Sequence, residues 1–197
     1  MRDTFQMPGG AKSFLIDEFY TLSFTAAVQH NRIYSGGSEM ERRSFKEGLK
    51  KITTEILDVY CLGEISELQH IANIMKLQSA SEQLANILIN NMLNVGTVQK
   101  ILNLNLKYWW CAGWVKSTPP HCPIDAIVLN SILSIARENE IRGPRVEIIR
   151  GCRWTRIATI DEYKEVINAI RDILNASGIT KSLADWELEQ WSNGRRM

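Results

Sequence analysis

Thr97-Val98-Gln99-Lys100-Ile101-Leu102-Asn103-Leu104-Asn105-Leu106-Lys107-Tyr108-Trp109-Trp110 is the stretch whose reading decides the fold. Leu102, Leu104, Leu106 and Tyr108 alternate as they would in a strand. Helical spacing instead gathers Lys100, Asn103 and Lys107 at i, i+3 and i+7 onto one polar stripe, and the helical reading is preferred.

Outward from this segment, apolar residues recur at helical spacing in most windows. Phe14, Leu15, Phe19, Leu22 and Ala26 mark a helix over about Ser13 to Ile33, and Phe45, Leu49, Ile52, Ile56 and Val59 a second over about Glu39 to Cys61. The loop Ser35-Gly36-Gly37-Ser38 separates them and Gly63 ends the second. A short helix follows over Glu64 to Leu77. Ser79-Ala80-Ser81-Glu82 reads as a capping box opening another, which carries Leu84, Ile87, Leu88 and Met92 and stops at Asn94-Val95-Gly96. Beyond the rigid Ser117-Thr118-Pro119-Pro120, Pro123 suits the first turn of a helix reaching Arg137, closed by Gly143-Pro144. Arg145 to Ile157 is the one candidate β-hairpin, turning at Gly151. Thr159-Ile160-Asp161-Glu162 is a second capping box, starting a helix to about Asn175, and Ser182 to Trp191 makes a last one. The expectation is a single, mainly α domain over residues 1–197, two-lobed, with residues 92–128 as its chemically interesting segment.

The composition agrees with a globular chain: 197 residues, 45% hydrophobic and 23% charged. A formal charge of +1 sets up no overall field toward a polyanion, so any such partner must be met locally. Asn86, Asn90, Asn91 and Asn94 interrupt the longest uncharged stretch, so no membrane span is expected, and the chain reads as cytoplasmic. Cys61, Cys111, Cys122 and Cys152 match no disulfide framework and no paired metal-site spacing, and no metal or cofactor is implied. Phosphate-binding glycine loops, HExxH and GxSxG are absent from the sequence.

What stands out is the order between Met92 and Asp125: a glycine turn, a lysine-bearing helix, a proline break, then an acidic helix start. A turn such as Asn94-Val95-Gly96-Thr97 can offer backbone N–H groups to a DNA phosphate. A lysine just beyond it and a carboxylate from a neighbouring helix start can then face the same sugar, and Lys100 and Asp125 are the natural pair.

Asn94-Val95-Gly96 with Gln99-Lys100, then Lys107-Tyr108-Trp109, then Pro120-His121-Cys122-Pro123-Ile124-Asp125 resembles the helix-hairpin-helix DNA glycosylase superfamily. It looks most like the archaeal 8-oxoguanine DNA glycosylase branch. There a Gln-Lys pair opens a helix carrying a second lysine seven residues on, followed by an aromatic pair. The resemblance implies a helical glycosylase fold, DNA as partner, and excision of an oxidised or hypermodified base. Lys100 would attack the anomeric carbon, and Asp125 would assist departure of the base, with abasic-site cleavage as a further step. Lys107 is the rival nucleophile, since its spacing to Asp125 resembles that of the endonuclease III branch. The role is base-excision repair or defence against phage with modified DNA. One glycine stands where that hairpin commonly has two, and the cysteines lack iron–sulfur cluster spacing.

An enzyme that extrudes a base needs a pocket and a phosphate-contacting surface. Gln29, His30, Trp109 and Trp110 are the candidate pocket residues, with Trp114 and Trp154 as further aromatic walls. The phosphate candidates are Asn94, Gly96 and Thr97 at the turn, with Arg145, Arg150 and Arg153 in the cationic run that also holds Arg142 and Arg156. The alternative is a non-catalytic helical nucleic-acid-binding or protein-interaction domain, in which the two lysines are a solvated helix face and Asp125 only complements a helix dipole.

Overall fold

The computed structural model describes residues 10–29, 31–84 and 86–194. Among them are eight α-helices: α1 Ala11–Val28, α2 Glu39–Leu62, α3 Glu67–Leu84, α4 Val95–Cys111, α5 Ala126–Glu138, α6 Pro144–Gly151, α7 Ile160–Ala176 and α8 Leu183–Gly194. Single 3₁₀ turns lie at Ile89–Asn91 and Trp154–Arg156, and an isolated bridge pairs Tyr34 with Leu88. The fold is mainly α.

The deciding stretch is α4, and it is the central helix. Val95, Val98, Ile101, Leu102, Leu106 and Trp109 are buried, and so are Thr97, Gln99, Lys100, Asn103, Asn105 and Lys107. A helix buried on all its faces belongs inside a domain. Helices α1, α3 and α7 and the Trp154–Arg156 turn pack around it. The polar stripe of Lys100, Asn103 and Lys107 is therefore an interior seam, not a solvated face, and each polar group on it needs a partner.

Three other sequence expectations are corrected. Arg145 to Ile157 is not a β-hairpin but helix α6 followed by the 3₁₀ turn. Pro144 sits at the first helical position, Glu147 in the first turn and Arg150 in the last, which suits the helix dipole, while Val146 and Ile149 face the core at i, i+3. Gly143-Pro144 thus opens a helix instead of closing one. Ser79-Ala80-Ser81-Glu82 opens nothing: it lies inside α3, where the Ser81 hydroxyl donates back to Gln78 O (2.6 Å) and accepts from the buried amide of Leu93 (3.0 Å). The expected box at Thr159 and Glu162 is present at the start of α7, and a second, Ser38 with Glu41, starts α2.

Candidate active site

The site is assembled at the start of α4. Asn94 caps that helix, its Oδ1 accepting from the Thr97 amide at 2.8 Å. Its Nδ2 reaches across to Thr155 O at 2.6 Å. The Gly96 amide donates to Ile157 O at 3.0 Å, and a Cβ on Gly96 would stand 1.8 Å from Trp154 O. The glycine is there so that the 154–157 segment can lie directly against α4.

This corrects the phosphate role expected for Asn94, Gly96 and Thr97. The Gly96 and Thr97 amides are spent inside the protein, and the Thr97 hydroxyl bonds Asn94 Oδ1 (2.7 Å) and accepts from Asn31 Nδ2 (2.7 Å). The turn docks chain, and its bound donors do not face outward.

What the docking achieves is the setting of Lys100. Its Nζ lies 4.3 Å from the centroid of the Trp154 ring and 3.3 Å from Asp125 Oδ2, with side-chain exposures of 8% for Lys100 and 19% for Asp125. Asp125 is the N-cap of α5, one position before the helix proper. Its Oδ1 accepts from the Ile127 and Val128 amides at 3.0 and 3.1 Å. The carboxylate is thereby divided, one oxygen fixed by helix amides and the other turned to the amine.

Lys107, two turns along the same face, is engaged otherwise. Its Nζ bonds Glu187 Oε1 on α8 at 2.8 Å and stands 5.0 Å from the Trp191 ring centroid. Both side chains of this pair are only 8% exposed. Burial raises the Glu187 pKa, Lys107 opposes the shift, and nearby Asp125 adds to it, so the two ion pairs form one neighbourhood. Glu187 lies in Trp186-Glu187-Leu188-Glu189, where helical spacing alone gives no sign that one glutamate is buried against a lysine from α4.

Between the pairs, the two N–H groups of Asn103 Nδ2 are shared among three acceptors, Gln99 Oε1 (3.2 Å), Cys122 O (3.2 Å) and the Tyr163 hydroxyl (3.1 Å). That hydroxyl is 2.8 Å from His121 Nδ1, and His121 Nε2 is 3.1 Å from Glu67 Oε1, which also accepts from Arg171 at 2.7 Å. Burial is the main reason the His121 pKa falls to about 4. Burial also pushes the Cys122 thiol well above its ordinary range. His121 and Cys122 are thus internal supports of the loop before Asp125.

Among the described residues, the expected base-pocket side chains do not come together. Trp109 is fully buried and packs edge-on to Trp114, and Trp110 is half-buried against the core. Gln29 is exposed at the end of α1, and His30 lies outside the described residues. A depression of about 290 Å³ is lined by Ala126, Asn130, Arg150, Arg153, Trp154 and Thr155 among others; it shares Trp154 with the surroundings of Lys100, but neither Lys100 nor Asp125 lines it. Arg145, Arg150 and Arg153 are exposed, with Arg145 paired to Asp172 at 2.7 Å and Arg150 to Glu147.

Among the described residues no helix is long and apolar enough to cross a membrane, and no cluster of three or more His, Cys, Asp or Glu side chains stands ready for a metal ion. Comparison of the chain with protein-family models, with curated proteins and with solved structures returned no match.

Proposed function

We propose that this protein is a DNA glycosylase that excises a damaged or modified base, with Lys100 as nucleophile and Asp125 as its carboxylate partner. One observation carries the reading: a lysine amine and a carboxylate, brought by two different helices, meet at 3.3 Å beneath a tryptophan ring. The resemblance of the surrounding motifs to helix-hairpin-helix glycosylases supports it.

In this reading the Lys100 amine first passes a proton to Asp125 Oδ2, 3.3 Å away. The free amine attacks C1′ of an extruded nucleotide. The N–C1′ bond forms as the glycosidic bond breaks, and the base leaves with the bonding pair and takes the proton from Asp125, which returns to its carboxylate form. Positive charge on the sugar is greatest during that departure, and Asp125 faces it. The adduct then opens to a Schiff base, which water hydrolyses or which loses the C2′ proton and the 3′ phosphate. Lys100 is favoured over Lys107 because the carboxylate beside it is the more open of the two, 19% exposed for Asp125 against 8% for Glu187. The substrate class is an oxidised purine or a hypermodified base, and the role is repair or defence.

The test is borohydride trapping on duplexes carrying 8-oxoguanine, abasic sites or phage-type modified cytosines. The expected result is a covalent adduct lost in Lys100→Gln and kept in Lys107→Gln. Base release that needs Asp125 but traps no adduct would replace the lysine by a water nucleophile. Neither adduct nor release on the whole panel would leave the Lys100–Asp125 pair a structural tie and the arginine surface a binding module.

A further inference from the structure

Gln99 is fully buried, and its carboxamide uses its full bonding capacity. Nε2 donates to Ile124 O at 2.8 Å and to Gly96 O at 3.0 Å. Oε1 accepts from the Ile124 amide at 3.1 Å and from Asn103 Nδ2 at 3.2 Å. The two bonds to Ile124 form a closed pair, one donated and one accepted, like a rung of sheet made by a side chain. Gln99 immediately precedes Lys100, and Ile124 immediately precedes Asp125.

The loop gives this rung its importance. Pro119, Pro120 and Pro123 have no N–H to donate, so a backbone ladder cannot hold the approach to Asp125. Side chains hold it: Arg171 on Pro120 O, Asn103 on Cys122 O and Gln99 on both polar groups of Ile124. Of these, the Gln99 rung is nearest the carboxylate and the amine together.

We infer that Gln99 is a positioning residue: its rung to Ile124 sets the separation of Lys100 Nζ from Asp125. Its consequence for catalysis rests on the glycosylase reading, whereas the geometric claim does not.

Two variants test it. Gln99→Met keeps the length and removes every bond. Gln99→Glu keeps the shape but, when ionised, turns an oxygen toward Ile124 O. A protonated carboxyl has one O–H and one C=O and restores the rung. With wild-type protein that traps DNA, adduct formation in Gln99→Met is expected to fall about 100-fold, as for an ångström-scale misplacement, while DNA affinity stays within about twofold. Gln99→Glu is expected to be impaired at pH 8 and to recover toward pH 5, relative to wild type at each pH. An unchanged adduct rate in Gln99→Met, or a pH profile of Gln99→Glu parallel to wild type, overturns the inference and leaves the glycosylase reading standing.

If wild-type protein traps nothing, that reading fails, and the clamp is judged from crystal structures at pH 8. A Lys100–Asp125 separation widened in either variant supports it, and the wild-type separation of 3.3 Å retained in both overturns it. Should Gln99→Met not fold, Gln99→Glu grown at pH 5 and moved to pH 8 decides by the same distance.

Discussion

Two lysines share one face of α4, and their partners separate them. Lys107 and Glu187 are both 8% exposed, whereas Asp125 beside Lys100 keeps 19% of its side chain in contact with solvent. Removing one member of a well-buried pair leaves the other charge without compensation, whereas replacing both with apolar groups does not. Lys107→Met should therefore cost about 3 kcal/mol in urea unfolding, and adding Glu187→Leu should return most of it. Lys100→Met should cost only about 1 kcal/mol, because the remaining carboxylate is capped by two amides and partly hydrated. Equal costs for the two lysine variants would mark both pairs as structural and count against a chemical role for Lys100.

At the scale of the elements, the loop carrying Asp125 hangs on a buried histidine, and this gives the fold a pH dependence. His121 faces Tyr163, Glu67, Arg171 and the ring of His70, and burial holds it at about 4 against an ordinary 6.5. Its folded-state pKa is depressed, so its contribution is fully present above the unfolded value of 6.5 and is lost as pH falls toward about 4. That contribution is on the order of 3 kcal/mol. His70, held low by burial and by His121, adds in the same direction. Urea midpoints between pH 7.5 and 4.5 should fall less in His121→Gln than in wild type, and identical slopes would sink the argument. The same loop marks what the sequence could not tell. Ser38 and Thr159 begin helices whose caps are local, so such boundaries are readable from a few residues. Ser81 carries similar local chemistry but spends its hydroxyl on Leu93 across the fold, and α6 is too short for its period to outweigh its β-branched residues. The Lys100–Asp125 pair was legible because a capping aspartate and a lysine stripe are pattern features. Glu187 and the Gln99 rung were not, because nothing in local spacing shows which polar residues the packing of α4 will bury.

For the whole molecule, a formal charge of +1 sets up little long-range attraction for DNA, so the proposed glycosylase would have to meet its substrate through a local cationic surface, and the face proposed for it is that of α6 and the Trp154–Arg156 turn. Its arginines are not equivalent. Arg145 is tied to Asp172 and Arg150 to Glu147, whereas Arg153, which lines a depression together with Arg150 and Trp154, is in no such ion pair among the described residues. A cation already compensated by a carboxylate gains less from a phosphate, because the existing pair must be given up first. Each phosphate contact removed lowers the dependence of log K on log salt by about 0.9 for duplex DNA. Arg153→Ala is therefore expected to reduce that slope by about one contact, Arg145→Ala by clearly less, and Lys100→Gln not at all, measured by fluorescence anisotropy across a salt series. A slope that responds to none of the arginines, with binding retained, would move the DNA contact to another face and separate it from the Lys100–Asp125 site.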